Sequence, residues 1–257
     1  MDMNRKVVWS EGMLLTPQHF QQWDRHYEGL IAERFRTHDP FAWGITELDI
    51  DHDGLGNGRF TLLKCLVVMS DGLVVQVPDQ DSAPQTRVFT ELFPASVDHL
   101  DVYLGIPVER VDGTTCQLGK ESGARPARYL AEHVEAVDTT TGDNPREVLV
   151  TKKNLRVYFS GEKTADTVSV KIAELIRTPS GAVGLKETYI PPSLWICASP
   201  YLLRLLRGLI ELLVAKRSAF SDAQRGVIEL IGADLGKLTL VTAVSTHLPV
   251  LMHLSQV

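Results

Sequence analysis

The chain has 257 residues, of which 44% are hydrophobic and 23% charged, and it carries a formal net charge of −6 at pH 7. These values describe a globular protein long enough for one large domain or two smaller ones. The acidic balance argues against a nucleic-acid partner, which would require clustered lysine and arginine.

The cysteines and the N-terminus indicate the cellular compartment in which the protein is expected. Cys65, Cys116 and Cys197 are widely spaced and odd in number. They form neither a disulfide framework nor a thiolate zinc site, so each is expected to be a small buried hydrophobe in a reducing compartment. The apolar stretch near the N-terminus, residues 7–9, is too short for a signal peptide. We therefore expect a cytoplasmic protein with no direct membrane insertion.

Charge and proline content divide the chain into three regions. Residues 39–190 carry a net charge of −8, whereas residues 191–257 carry +2 and residues 1–38 are balanced. Ten of the thirteen prolines lie between Pro40 and Pro192. We predict an N-terminal segment and helix over 1–38, a sheet domain over 39–195 and a helical region over 196–257.

The first region has a helical period. Between Pro17 and Arg36 apolar residues recur at spacings of three and four, at Phe20, Trp23, Tyr27, Leu30, Ile31 and Phe35. Thr16 before Pro17 predicts the start of a helix, and Asp39-Pro40 predicts its end. We expect the stripe formed by Phe20, Trp23, Tyr27 and Ile31 to pack against other parts of the same protomer.

The segment that leads into this helix is rich in aromatic and polar side chains. It is equally suited to packing on the protomer and to binding a partner. The residues that carry both interpretations are Trp9, Glu11, Met13, Pro17, Gln18, His19 and Phe20.

The middle region alternates between apolar and polar residues. This period of two occurs over 101–108, 155–159 and 168–172, and it predicts strands with one buried face. Asp71-Gly72, between two apolar runs, predicts a tight hairpin. The predicted fold class is mixed and mainly β: an antiparallel β-sandwich preceded by an N-terminal helix and followed by helices.

The tail begins with the helix-starting pair Ser199-Pro200 and a leucine-rich run over 201–214. Two apolar stripes run along this helix, so it must be buried on two faces. The run is too short and too charged to span a bilayer. The first stripe is expected to face sister chains and consists of Leu202, Leu206, Leu209 and Leu213. The second consists of Leu203, Leu205, Ile210 and Leu212.

Further helices are predicted beyond this run. Ser221 and Gln224 form a capping box that predicts the start of a second helix, and the apolar stretch from Leu238 to Leu254 is expected to bend or break near Pro249. The sequence ends beside this apolar stretch. We therefore expect either a truncated region or one that relies on partner chains.

Motifs that carry chemistry are weak. Asp49-x-Asp51-x-Asp53-Gly54 resembles the opening of a calcium loop, but Phe60 occupies the position where the loop needs a glutamate. An acidic turn is the better interpretation. The sequence contains no G-x-S-x-G, P-loop, H-E-x-x-H or G-x-G-x-x-G motif. We therefore predict no enzyme activity, no cofactor and no metal site.

One block of the sequence is specific to a family. Trp9-Ser-Glu-Gly-Met-Leu-Leu-Thr-Pro17-Gln-His-Phe-Gln-Gln22 resembles the opening signature of the TssK family, baseplate components of bacterial type VI secretion systems. Trp43-Gly44 resembles the family's next landmark. Ile190-Pro191-Pro192-x-Leu194, followed by Ala198-Ser199-Pro200, resembles the junction between its sandwich and its helical neck.

The resemblance implies a homotrimeric, non-enzymatic adaptor. In that family an N-terminal β-sandwich shoulder docks onto the TssF–TssG wedge, a helical neck trimerises, and a C-terminal head contacts the TssJ–TssL–TssM membrane complex. Family members are longer than this chain, so the resemblance implies a shoulder and a truncated neck without the head. The contact with the membrane complex would then be made only through the missing head.

Two other classes remain open on the sequence. A phage-tail-like structural or receptor-binding protein would share this architecture and differ in its partners. A carbohydrate-binding β-sandwich would bind sugar and would not need a trimer-forming tail.

Overall fold

The computed structural model describes residues 5–110, 113–119, 126–162, 165–179, 181–226 and 235–256. A long helix precedes a series of strands, and two long helices follow them. In chain order the elements are α1 (Pro17–His38), β1 (Gly44–Ile50), α2 (His52–Gly56), β2 (Arg59–Phe60), β3 (Leu62–Val68), β4 (Val74–Val77), β5 (Arg87–Val88), β6 (His99–Pro107), β7 (Cys116–Gln117), β8 (Tyr129–Ala136), β9 (Arg146–Lys153), β10 (Arg156–Phe159), β11 (Thr167–Arg177), β12 (Val183–Leu185), the 3-10 helix η1 (Ile196–Ala198), α3 (Pro200–Gly226) and α4 (Leu235–Leu254).

Two antiparallel sheets enclose the core. One has the strand order β1-β3-β4 and the other β10-β6-β11-β12. Side chains from both sheets, such as Val67, Leu104 and Val170, belong to one buried cluster. The predicted fold class, mixed and mainly β with flanking helices, is confirmed.

The strands follow from the period-two pattern. Val102, Leu104 and Ile106 of β6 are fully buried, and Leu104 pairs with Val157 on one side and Val170 on the other. The predicted hairpin at Asp71-Gly72 is also confirmed, because β3 and β4 pair directly around it. Gly72 adopts a φ of +93°, which glycine reaches without a steric penalty.

A cluster of aromatic rings fills one end of the core. Phe159 lies with its ring centroid 6.1 Å from Phe89 and 6.4 Å from Phe60. The Arg87 guanidinium lies 5.0 Å from the Phe159 ring centroid and donates two hydrogen bonds to the Glu162 carboxylate, at 2.8 and 2.9 Å. This bidentate ion pair closes the core at the protein surface.

The helical tail differs from the prediction in two places. The expected second start at Ser221 is wrong, because α3 runs without interruption to Gly226. A capping motif favours a helix start but does not end a helix that already contains good helix formers. The expected break at Pro249 is also wrong, since α4 continues through it. Val244 and Leu248 are buried in this part of the helix, and α4 packs against α3.

Strands β8 and β9 form a long ribbon, which we call the arm (residues 129–153), and β7 pairs with it at its base, at Tyr129 and Leu130. Its eight cross-strand pairs run from Tyr129–Lys153 to Ala136–Arg146 without a register shift. Residues 132–151 are all exposed, so the outer part of the arm projects into solvent. The alternation of residues in this part of the chain did not predict a ribbon.

Two small motifs have structural roles. Asp51 caps α2, because its carboxylate accepts hydrogen bonds from the N–H groups of Asp53 and Gly54, both at 3.1 Å. The acidic sequence is therefore a capped turn, as interpreted. Cys65 is buried, and burial raises the pKa of its thiol to about 12. Cys116 is half-buried and Cys197 exposed, so the expectation of burial is wrong for Cys197.

The Arg87–Glu162 ion pair should make stability depend on acidic pH. Partial burial disfavours the ionised Glu162, but the Arg87 guanidinium and the Phe159 N–H outweigh it and lower the pKa of Glu162 below its ordinary value of 4.5. Because the folded-state pKa lies below the unfolded one, the stabilisation is present above about pH 4.5 and is lost as the pH falls through the folded-state pKa.

We therefore expect Glu162→Gln to reduce the free energy of unfolding by about 1–2 kcal/mol at pH 7. Urea unfolding of both proteins between pH 7 and pH 3 checks this, since the difference between them should shrink towards the acid end. A difference that stays constant with pH would contradict the assignment.

Candidate interaction surfaces

Helix α1 packs on the sandwich through its small and polar side. An added Cβ on Gly72 would lie 3.1 Å from the Ala32 Cβ, so the helix and the β3–β4 turn are in close contact there. About two turns earlier in the helix, the Arg25 Nε lies 3.5 Å from the Glu109 carboxylate. The half-buried residues of the helix, Arg25, Gly29 and Ala32 among them, share this side.

The apolar stripe of α1 is largely exposed. No residue of the helix is buried, and Tyr27 at its middle remains 45% exposed. Ile31 and Phe35 border the cleft between α1 and the sandwich. Packing of the stripe on its own protomer is thus seen at its start, where Trp9 contacts Phe20 and Trp23, and is incomplete beyond it. The α1 stripe, as we call this surface, consists of Phe20, Trp23, Tyr27, Ile31 and Phe35.

The segment before α1 folds back onto the start of this stripe. The Trp9 ring centroid lies 6.0 Å from that of Trp23, 6.4 Å from that of Phe20 and 6.2 Å from that of His19. The Gln22 side-chain amide donates a 2.8 Å hydrogen bond to the Arg5 carbonyl. Packing on the protomer is thus part of this segment's role.

The seven predicted residues of that segment are only partly brought together. Trp9, His19 and Phe20 form one aromatic group. Met13 is half-buried, and Pro17 is the first residue of α1. The exposed members are Glu11, Pro17, Gln18, Phe20 and, in part, Trp9.

A cleft of about 900 Å³ separates the rest of α1 from the sandwich. Arg128 lines it with a side chain that is only 5% exposed, held by a 2.6 Å ion pair to Asp71 and a 2.9 Å hydrogen bond to the Pro107 carbonyl. Glu28 of α1 lines it as well, and burial together with the nearby Glu109 carboxylate raises the pKa of Glu28. The attachment of α1 is therefore polar and loosely packed.

The predicted neck seam divides into a buried and an exposed part. Leu206 is buried at 8% exposure, whereas Leu209 is exposed and Leu202 and Leu213 are half-buried. Helix α3 packs against η1 and α4, which explains the burial of Leu206 within the chain.

A different set of leucines is left uncovered on α3. Leu205, Leu209 and Leu212 recur at spacings of four and three, so they lie on one face of the helix. All three are exposed, with Leu212 at 64%. We call them the neck stripe. On α4, Val250 and Leu254 are exposed at the same spacing of four. The sequence contained both α3 stripes but no sign of which one α4 would cover.

Chemical sites are not prominent in the part of the chain that the structure describes. No group of three or more histidine, cysteine, aspartate or glutamate residues in those ranges is placed to hold a metal ion. Among the same residues, no helix is long and apolar enough to cross a membrane.

The chain matches a known family over most of its length. Residues 19–257 match the profile of a family described as bacterial type VI secretion, which includes EvfL, ImpJ and VasE. The chain is 31% identical over 261 residues to the type VI secretion system baseplate component TssK1 of Pseudomonas aeruginosa. That match covers 100% of this chain and 57% of the relative, so the chain spans little more than half the relative's length.

Solved structures agree with this relationship. A cryo-electron microscopy structure of a TssK–TssF–TssG baseplate subcomplex contains a chain that is 25% identical with a TM-score of 0.86, and the match covers 98% of this chain and 80% of that one. A structure of the type VI secretion baseplate complex gives 25% identity and a TM-score of 0.88, covering 100% of this chain and 58% of that one.

The different surroundings of the α3 residues predict different effects of introducing a charge. Leu206→Asp would place a carboxylate in the contact between α3, η1 and α4, at a cost of about 3 kcal/mol or more. Ala215→Asp places the same group on an exposed face of the same helix. We expect circular dichroism melting to show a large loss of stability for Leu206→Asp alone. Equal melting of the two variants would contradict the burial of Leu206.

Proposed function

The chain belongs to the bacterial type VI secretion family that contains the TssK baseplate components, and from that premise we propose that it is a structural, non-enzymatic adaptor. In this proposal it docks onto a TssF–TssG wedge in the cytoplasm and assembles as a homotrimer. The contact with the TssJ–TssL–TssM membrane complex belongs to the part of its relatives' length that the chain does not match.

The observation that carries the wedge-binding proposal is the exposure of the α1 stripe. Five large apolar side chains are exposed along a helix about 33 Å long, and two of them, Ile31 and Phe35, also border the cleft to the sandwich. A contiguous apolar surface of this kind is typical of a protein–protein interface, and the aromatic residues in it are those enriched at binding hot spots. TssF and TssG are named with TssK in the subcomplex whose chain resembles this one.

Trp9 supports the same proposal by organising the stripe. Its contacts with Phe20 and Trp23 hold these rings in place before a partner binds. An interface that is ordered in advance loses less conformational entropy on association. The N-terminal segment is thus both a packing element and a part of the proposed contact surface.

The neck stripe supports the trimer. A two-helix hairpin buries one face of each helix, and here Leu205, Leu209 and Leu212 remain on a second face. Packing three such hairpins around an axis would cover these leucines, and Val250 and Leu254 of α4 with them. The seam residues Leu202, Leu206 and Leu213, which are half-buried or buried, then hold α3 within its own chain, and the exposed Leu209 belongs to the contact between chains.

Wedge binding can be tested on the α1 stripe. We expect Tyr27→Asp combined with Ile31→Asp to abolish co-purification with TssF and TssG from the same source, because two charges would be buried in an apolar interface. The control Gln21→Asp changes an exposed residue away from the stripe and should bind normally. Undiminished capture of the wedge by the double variant would refute the α1 docking surface.

Trimerisation can be tested on the neck stripe. Size-exclusion chromatography with light scattering should give three times the chain mass for the natural sequence and the monomer mass for Leu209→Asp combined with Leu212→Asp. Ser218→Asp changes an exposed residue on another face of α3 and should remain trimeric. A trimer in the double variant would place the interface elsewhere.

A further inference from the structure

The arm carries surface that its own chain leaves uncovered. A two-stranded ribbon is marginally stable in water unless a further layer packs on it. In the arm, Val134, Val148, Leu149 and Val150 are all exposed, and β7 pairs only with the first two residues of β8. A partner that covers the outer arm would remove this surface from water.

The charges of the arm indicate the chemistry of that partner. Residues 132–147 contain five acidic residues and one arginine, a net charge of −4 with histidine neutral. Glu135 and Glu147 are direct cross-strand neighbours. Like charges in this position destabilise a ribbon, and a cation between them would reverse the effect. His133 lies 3.0 Å from the Glu147 carboxylate but contributes a charge only when protonated.

A surface with the complementary charge lies on the neck. Residues 200–217 of α3 contain four basic residues and one acidic residue, a net charge of +3, and Arg204 and Arg207 share their side of the helix with the single acidic residue, Glu211. Arg204 and Arg207 are both exposed and lie away from the neck stripe. Arg207 makes no hydrogen bond or ion pair with the part of the chain that the structure describes, whereas Arg204 lies 3.3 Å from Glu187.

The two surfaces start from the same region of the molecule. Tyr129, the first residue of the arm, and Leu194, six residues before α3, line the same cleft. Strands of eight residues extend the arm about 26 Å from this point, and α3 extends about 40 Å from it. An arm and a neck of these lengths that start beside the same cleft can reach each other between adjacent copies.

We propose that the acidic arm of one copy docks on the Arg204–Arg207 face of α3 in a second copy. Arg207 lies between the Glu135 and Glu147 carboxylates of the neighbouring arm, and Leu149 packs beside it. The inference rests on the proposed trimer. It assigns the outer face of the neck to arms and leaves the neck stripe for contacts among the necks.

The test reverses the charges on both sides. Sedimentation equilibrium of the purified chain measures the trimer dissociation constant for Glu135→Lys with Glu147→Lys, for Arg207→Glu, and for the three changes together. We expect the arm variant and the neck variant each to weaken association at least tenfold. The combined variant should recover most of the loss, because opposite charges again face each other.

The control is a matched reversal elsewhere. Glu91→Lys with Asp98→Lys makes the same change in net charge at exposed positions of the sandwich, and it should leave the dissociation constant unchanged. The same thermal unfolding in all variants would show that the folded chain is intact. Tighter or unchanged association in both single-side variants, or no recovery in the combined one, would overturn the proposal.

Hydrogen exchange distinguishes the partners. Amides of residues 132–151 should be protected in the trimer without TssF or TssG, and Arg207→Glu should remove this protection. Protection that requires the wedge proteins would overturn the assignment to a second copy. A natural chain that is monomeric throughout would refute the trimer and this docking together, whereas a trimer indifferent to the arm would refute only the docking.

Discussion

The filled space between the two sheets is the constraint on which the rest of the structure depends. Side chains of the strands fill this interior, and most of these side chains are inaccessible to solvent. The rings of Phe60, Phe89 and Phe159 fill one end of it. Helix α1 lies on the sandwich through Ala32 and an ion pair, and most of its aromatic side stays exposed.

The elements that sequence reasoning predicted are those fixed by local chemistry. Pro17 and Asp39-Pro40 bound α1, and the alternation around Leu104 gives β6, because each depends on neighbours in sequence. The direction in which the α1 stripe faces was not predictable. An amphipathic period shows that one side is apolar, but it does not say whether the covering surface belongs to the same chain.

Two further features were beyond sequence reasoning for related reasons. Leu206 and Leu212 are chemically identical and lie on one helix, and only the position of α4 decides which of them is buried. The arm could not be predicted because apolar residues such as Val134 and Val148 stand among charged residues in its sequence, and both valines are exposed. Such a pattern is as compatible with a loop as with a strand, since no buried face enforces the register.

Apolar surface and charge have different roles in the arrangement we propose. The α1 stripe and the neck stripe provide apolar surface, whose burial stabilises association but does not specify how the partners are oriented. The acidic sandwich and the basic neck provide this specificity, because complementary charges disfavour incorrect pairings and set the register of contact. Assembly of this kind would depend on salt concentration both in its rate and in its dissociation constant.

The exposed Cys197 in η1 gives experimental access to the junction of sandwich and neck. Cys65 is buried with a thiol that stays protonated at neutral pH, and Cys116 is half-buried, so a maleimide reagent would react first at Cys197. A spin label attached there needs no engineered cysteine. In a symmetric trimer three such labels form an equilateral triangle with one distance, and any asymmetry imposed by a partner would split that distance into several.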